Sequence, residues 1–176
     1  PRPTPRRRRR DSDARVRRTA FVTTHLHSVT LLLQAGLVVT AVEGARRRDV
    51  AAAVNGLVSL CAALLPAAVA AAGSVDFGPI LPLWVAFAGL LHSVGMLGPY
   101  DSTWWWDHVT HTVSAALVAA LVYAGVVTVA RAGGVDLGPG AAGAVTVALV
   151  FAVGVFWELV ELAARRAGER FGVEPV

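Results

Sequence analysis

The sequence predicts an all-α membrane protein, a polytopic transmembrane helical bundle of about five spans behind an arginine-rich amino-terminal tail. Two observations predict this class. The chain of 176 residues is 55% hydrophobic, and its mean hydropathy of +0.58 exceeds that of soluble domains of this length. Its apolar residues also fall into runs of about 20, the length that a helix needs to cross a hydrocarbon core roughly 30 Å thick.

The first 18 residues, rich in Pro and Arg, predict a disordered basic tail. We expect residues 6–18 to lie on an anionic lipid surface, because each arginine near such a surface gains about 1 kcal/mol. The alternative that the tail only sets the orientation of the chain stays open. The net charge of +4 does not indicate a nucleic-acid partner, since the other basic residues mostly stand at the ends of apolar runs, as in membrane proteins.

Five apolar segments predict five spans, at residues 19–42, 50–73, 79–97, 107–131 and 141–164. The transmembrane domain is then residues 19–166, and a short polar tail, residues 167–176, ends the chain. We expect a multi-pass protein of the cell membrane. The alanine-rich second span suits close helix packing in lipid and is compatible with a homo-oligomer; Pro66 within it predicts a kink.

The stretch around residues 100–111 carries an unusual density of polar groups. A helix that starts near Ser102 would place Asp107, His108 and His111 on one face, because residues three and four apart are neighbours on a helix. Alternating span direction puts further ionisable side chains on the same side of the membrane, namely His92, Asp101, Glu158 and Glu161. Buried charges in lipid are costly and usually pair, so we expect these groups to meet in one pocket.

The chemistry of this set suggests two kinds of site. His108 and His111 are candidate acid–base residues, and Glu158 is a candidate carboxylate for activating water. The same residue types accept Zn, Fe or Mn; the candidate ligands are Asp107, His108, His111, Glu158 and Glu161. A metal-free polar network for proton transfer, substrate binding or packing is the alternative, and both stay open.

Single residues also have plainer interpretations. Asp101 would cap the fourth span, and Glu161 would pair with Arg165 at the interface. The three consecutive tryptophans, residues 104–106, are typical of the membrane–water interface and need no ligand.

The motifs Tyr100-Asp101, Asp107-His108-Val109-Thr110-His111 and Phe156-Trp157-Glu158-Leu159-Val160-Glu161 resemble the YjdF-like group of small prokaryotic inner-membrane proteins. The resemblance covers residues 92–161. It implies a polytopic membrane fold and carries no settled activity.

Three functions follow from these patterns, and the sequence leaves open whether the protein is an enzyme. The first is a membrane-embedded site that binds a ligand or performs a hydrolytic or lipid-modifying reaction, with membrane lipids as partners. The second is a structural or assembly subunit whose polar cluster ties helices together. The third is a proton-coupled transporter module, which five spans without a detectable repeat serve poorly.

Overall fold

The computed structural model describes residues 5–73 and 77–171, and within these ranges the regular secondary structure is helical throughout. The six helices are α1 (Pro5–Arg47), α2 (Val50–Ala71), α3 (Ile80–Met96), α4 (Pro99–Ser102), α5 (Trp106–Ala132) and α6 (Pro139–Phe171). The predicted all-α membrane class is confirmed.

Among the described residues, four helical segments are long and apolar enough to cross a membrane: Arg15–Arg47, Val50–Ala71, Trp106–Ala132 and Pro139–Val160. The apolar helix α3 has 17 residues, the lower limit for a span. Large apolar side chains face outward along these helices, among them Leu32 at 72% exposure and Phe151 at 73%. Lipid tolerates such a surface, whereas water does not.

The two ends of the chain differ from the prediction. Helix α1 begins at Pro5, upstream of residue 19, where the first span was predicted to start; the division into a tail and a membrane domain stays a prediction. Arginine is a good helix former, and extending an existing helix avoids the cost of nucleation. Helix α6 continues to Phe171, past residue 164, where the fifth span was predicted to end. Residues 1–4 and 172–176 lie outside the described residues.

The helices end at recognisable stop signals. Arg48 has a φ of 59°, and the amide groups of Arg48 and Asp49 donate to the carbonyls of Ala45 and Gly44. Gly134, with a φ of 75°, ends α5 through the same pattern of two bonds. This is the Schellman arrangement, which satisfies the last carbonyls of a helix. Asp49 then caps α2, because its side chain accepts a bond of 2.9 Å from the Ala52 amide.

The chain divides into two compact units, Pro1–Val113 and Ser114–Val176. In the first unit α1, α2 and α3 contact one another pairwise. Small residues permit this approach: a Cβ on Gly44 would lie 2.6 Å from the backbone nitrogen of Ala53. The centre of the unit is an apolar layer, formed by buried Leu37, Ala63 and Ala86 with Leu33, Leu60, Val85 and Leu90 packed against them.

Candidate functional site

The candidate site lies in the first unit, where the end of α3, the short helix α4 and the first turns of α5 come together. Gly98 has a φ of 141°, a conformation that glycine adopts easily, and it turns the chain from α3 into α4. The end of α3 is also tied to α1, because a guanidinium nitrogen of Arg47 donates to the carbonyl of Leu97 at 2.9 Å. Arg47 is itself bridged to Glu43 at 2.9 Å.

Tyr100 connects α3 to α5. Its hydroxyl oxygen lies 2.6 Å from Nδ1 of His92 and 3.3 Å from the hydroxyl oxygen of Thr110. The Thr110 hydroxyl in turn donates to the carbonyl of Asp107 at 2.9 Å. Because Thr110 uses its own proton in that bond, it accepts from Tyr100.

The Tyr100 hydroxyl has one proton for two neighbours. If it donates to Thr110, then His92 donates from Nδ1 to the tyrosine oxygen; if it donates to His92, that nitrogen is the acceptor. The bond between Tyr100 and His92 exists in both arrangements. The tautomer of His92 therefore determines which neighbour the hydroxyl proton points to, and the contact is kept in either case.

Asp107 and His111 form the second pair of the site. Nδ1 of His111 lies 3.1 Å from a carboxylate oxygen of Asp107 and 3.0 Å from the Asp107 carbonyl oxygen. Both neighbours are acceptors, so in the neutral ring the proton belongs on Nδ1, and Nε2 carries the lone pair. The two side chains are 70% and 58% exposed, so a reactant can approach the ring.

The two pairs are adjacent. The rings of His92 and His111 are 6.0 Å apart between centroids, at an angle of 72°. The carbonyl of Asp107 accepts from both Thr110 and His111. A continuous set of hydrogen bonds thus connects one histidine to the other, and we call the five residues His92, Tyr100, Asp107, Thr110 and His111 the interfacial cluster.

The three tryptophans have different environments. The indole nitrogen of Trp106 donates to the carbonyl of Leu91 at 3.2 Å, and its ring is half-buried. Trp104 and Trp105 are exposed, at 83% and 45%, as expected for residues of an interface. Trp106 thus differs from the other two in packing against the protein, and the predicted interfacial position of all three stays a prediction.

Close packing supports the cluster from α3. A Cβ on Gly95 would lie 2.5 Å from a ring carbon of Tyr100 and 2.8 Å from the indole nitrogen of Trp106. Nearby, the side-chain amide of Asn55 donates to the hydroxyl of Ser93 at 3.2 Å, joining α2 to α3. The cluster is therefore backed by tightly packed polar and small residues.

The structure brings together three of the predicted site residues, His92, Asp107 and His111. His108 is exposed elsewhere on α5, with its ring 6.2 Å from that of Trp104. Asp101 is exposed on α4; it does not occupy the predicted capping position at the start of α5.

The two glutamates belong to the second unit. Glu158 is exposed on α6, and the side chain of Glu161 lies outside what the structure describes, as does that of its predicted partner Arg165. Their predicted meeting with the histidines stays a prediction.

The described residues contain no group of three or more His, Cys, Asp or Glu side chains arranged to hold a metal ion. Within the cluster, Nδ1 of His92 is bonded to Tyr100 and Nδ1 of His111 to Asp107. The described residues thus give the metal-binding hypothesis no support. The full set of five ligands is not tested, because it includes Glu161.

Two members of the cluster, Tyr100 and Thr110, were not predicted as site residues. Tyr100 is eight residues from His92, across the Gly98 turn, where helical periodicity no longer applies. Thr110 immediately precedes His111 in the sequence, so the helical face on which its side chain lies depends on the exact start of α5. The sequence feature that could have indicated both residues is Tyr100, because its hydroxyl can form hydrogen bonds and it stands beside a predicted turn.

A cavity of about 390 Å³ lies at the other end of the first unit. We call it the α1–α3 cavity; its polar lining on α1 includes Thr23, His27 and Gln34, and its remaining lining is mostly apolar. The apolar layer lies between this cavity and the interfacial cluster. This order is the same along α1, α2 and α3.

The comparison with known families is decisive for the class of the protein. The model of a family described as "Predicted membrane protein (DUF2238)" matches residues 26–176, most of the chain. The chain belongs to the DUF2238 family. No curated protein and no solved structure gives a significant match.

In this DUF2238 chain the interfacial cluster lies entirely within the matched residues, as do Glu158 and Glu161. The arginine-rich residues before position 26 precede the match. The family description establishes a membrane protein and names no activity, so a function has to be inferred from the chemistry of the cluster.

Proposed function

We propose that the interfacial cluster performs acid–base chemistry on polar groups at the lipid–water interface, in a hydrolytic or lipid-modifying reaction. The contact between Asp107 and His111 carries this proposal. A carboxylate that accepts from Nδ1 orients the ring, and Nε2 is then the atom that takes a proton from a reactant. Removing such a base typically costs a factor of about 100 to 10,000 in rate.

The surroundings of His111 favour a reactant of the interface. The ring is exposed, whereas the tyrosine and threonine behind it are half-buried and buried. Exposed Trp104 and Trp105 lie one to two turns before it, and tryptophan prefers the head-group region. A phospholipid head group reaches this level without leaving the membrane.

The second histidine supplies the other half of the chemistry. The ring centroid of His92 is 6.0 Å from that of His111, and Nδ1 of His92 lies 2.6 Å from the hydroxyl oxygen of Tyr100. We assign His111 the role of base and the His92–Tyr100 pair the role of proton donor to a leaving group. Glu158 and His108 keep their predicted roles as further candidate catalytic residues, and a metal is not needed for this scheme.

The test follows lipid turnover. The full chain is reconstituted in vesicles made from a mixed bacterial lipid extract, and every lipid species is quantified by mass spectrometry over time. We expect one head-group class to be consumed, and Asp107→Asn and His111→Gln to slow that loss by about 100-fold or more. The matched control is His25→Gln, the same change at an exposed histidine in the middle of α1, which should retain the wild-type rate.

Two results contradict the proposal. One is a wild-type protein that leaves every lipid class unchanged, and the other is a His111→Gln variant as fast as the wild type. Unfolding temperatures measured on the same samples separate loss of chemistry from loss of fold.

The second candidate function is structural, a membrane subunit whose cluster ties helices together. The observation that favours it is the tight contact of Gly95 with Tyr100 and Trp106. This function predicts that each cluster variant lowers the unfolding temperature according to the hydrogen bonds that its side chain makes, with no change in any lipid class.

Transport receives less support. In the first unit the apolar layer around Leu37, Ala63 and Ala86 stands between the cluster and the α1–α3 cavity. Protons need an unbroken series of polar groups to cross a membrane. We therefore place transport behind the other two functions.

The proposal also covers the subgroup of the family and the membrane in which the protein lies. We infer that the chain is a YjdF-like member of DUF2238, on the Tyr100-Asp101 and Asp107-His108 motifs, and that it is a multi-pass protein of the cell membrane. A homo-oligomer is compatible with the small residues of its helices.

A further inference from the structure

The carbonyl of Leu97, the residue that caps the end of α3, accepts a hydrogen bond from another helix. In a continued helix this carbonyl would accept from the amide of Asp101, four residues later. That amide donates instead to the carbonyl of Gly98 at 3.1 Å. The guanidinium of Arg47, on α1, takes its place and donates to Leu97 at 2.9 Å. A cation is favourable there, because the last carbonyls of a helix carry partial negative charge.

Arg47 is also held on its own helix. Its Nε lies 2.9 Å from a carboxylate oxygen of Glu43, one turn earlier. A guanidinium carries its donors in a rigid planar fork, so Nε serves the carboxylate while a terminal nitrogen serves the Leu97 carbonyl. Each contact thus orients the group for the other. Arg46 pairs with the same carboxylate at 3.7 Å and is 77% exposed, which makes it a matched control.

The contact with Arg47 fixes the peptide unit from which the chain turns. The Leu97 carbonyl and the Gly98 amide belong to one planar unit. Arg47 binds the carbonyl of this unit, and its N–H donates to the carbonyl of Gly95 at 3.2 Å. The next rotation along the chain is the φ of Gly98, 141°, which glycine adopts easily. The direction of the chain after the turn therefore depends on how this peptide unit is oriented.

Helix α4 starts from this turn and carries Tyr100. The Gly98 carbonyl accepts from the amides of Asp101 and Ser102, both at 3.1 Å, and from the Ser102 hydroxyl at 3.0 Å. The helix has only four residues, so its position follows that of the turn. The hydroxyl oxygen of Tyr100 lies 2.6 Å from Nδ1 of His92. A series of bonded groups thus runs from the end of α1 to the interfacial cluster.

We propose that Arg47 is a positioning residue, which from α1 fixes the Leu97–Gly98 turn and thereby holds Tyr100 against His92. Its effect on rate rests on the proposed function, in which the His92–Tyr100 pair donates a proton; the positioning itself does not. A misplacement of about 1 Å can cost about 100-fold in rate. Losing Arg47 should therefore slow the reaction although every member of the cluster is still present.

The experiment records the ¹⁵N resonance of Nδ1 of His92, with the full chain in vesicles of mixed bacterial lipid extract, well below the unfolding temperature. Tyr100→Phe, which lacks the hydroxyl, gives the position of this resonance when the contact is lost. We expect Arg47→Gln to move the resonance towards that position and Arg46→Gln to leave it at the wild-type value. A role in stability alone would lower the unfolding temperature and leave the resonance of the folded protein unchanged.

Lipid turnover in the same vesicles is the second readout. We expect Arg47→Gln to slow the loss of lipid by about 10- to 100-fold, and Arg46→Gln to keep the wild-type rate. A shifted His92 resonance together with the wild-type rate overturns the role of Arg47 in the reaction. If the wild type leaves every lipid unchanged, the proposed function fails, and the His92 resonance still decides whether Arg47 positions Tyr100.

A second variant keeps the test decisive if Arg47→Gln does not fold. Glu43→Ala places a good helix former on α1 and removes the partner that orients Arg47. It should move the His92 resonance in the same direction as Arg47→Gln, by a smaller amount. An unchanged resonance in Arg47→Gln overturns the proposal; if that variant does not fold, an unchanged resonance in Glu43→Ala does so.

Discussion

The hydroxyl oxygen of Tyr100 lies 2.6 Å from Nδ1 of His92, and this bond joins the end of α3 to the short helix that follows it. Both side chains are only partly exposed, so neither can exchange this partner for water without cost. The two residues fix where α5 begins relative to α3, because Tyr100 also contacts Thr110.

Tyr100→Phe should therefore lower the stability of the protein. The change removes one hydroxyl and leaves His92 and Thr110 without that bond, at an expected cost of about 1–2 kcal/mol. Thermal unfolding in detergent measures it. The chain has two tyrosines, and Tyr123→Phe on the exposed surface of α5 is the control. Equal unfolding temperatures for the two variants would mean that the Tyr100 contact contributes nothing.

Gly95→Ala should disturb the same region by steric means. The new methyl group would lie 2.5 Å from the Tyr100 ring and 2.8 Å from the Trp106 nitrogen, so both rings have to move. We expect a loss of about 1–3 kcal/mol. Gly125→Ala has no described atom within 4 Å of the added carbon; it should be neutral or stabilise the helix by up to about 1 kcal/mol. The prediction is wrong if Gly95→Ala unfolds at or above the wild-type temperature.

Gly44→Ala tests the contact between α1 and α2. Its Cβ would meet backbone atoms of Ala52 and Ala53 at 3.0 and 2.6 Å, and backbone cannot turn aside as a side chain can. The helices must separate, so we expect a loss of roughly 1–3 kcal/mol in detergent unfolding. Gly154→Ala, which meets nothing within 4 Å, is the matched control. Similar behaviour of the two variants would argue against a close α1–α2 contact.

Helical periodicity predicted one contact within α5, whereas His108, which was expected on the same face, is exposed elsewhere on that helix. The four-residue spacing of Asp107 and His111 predicted a shared face, and the structure has their side chains 3.1 Å apart. The length of the apolar runs also predicted the positions of the helices. Periodicity and run length both depend only on residues that are close together in the sequence.

Contacts across a turn were not predictable in this way. Tyr100 reaches His92 because Gly98 adopts a φ of 141° and Gly95 has no side chain in the way. Neither condition appears in a periodic pattern. The start of α1 was missed for a different reason: composition suggested disorder, whereas helix continuation from the apolar segment determined the structure at residues 15–18.

The most direct test of the central claim is the position of the proton on His111. In protein labelled with ¹⁵N at its five histidines, the nitrogen shifts report the tautomer of each neutral ring. We predict a proton on Nδ1 and a lone pair on Nε2 of His111, with a weaker preference in Asp107→Ala. A proton on Nε2 in the wild type would contradict the account, because Nε2 of His111 would then have no lone pair to offer a reactant.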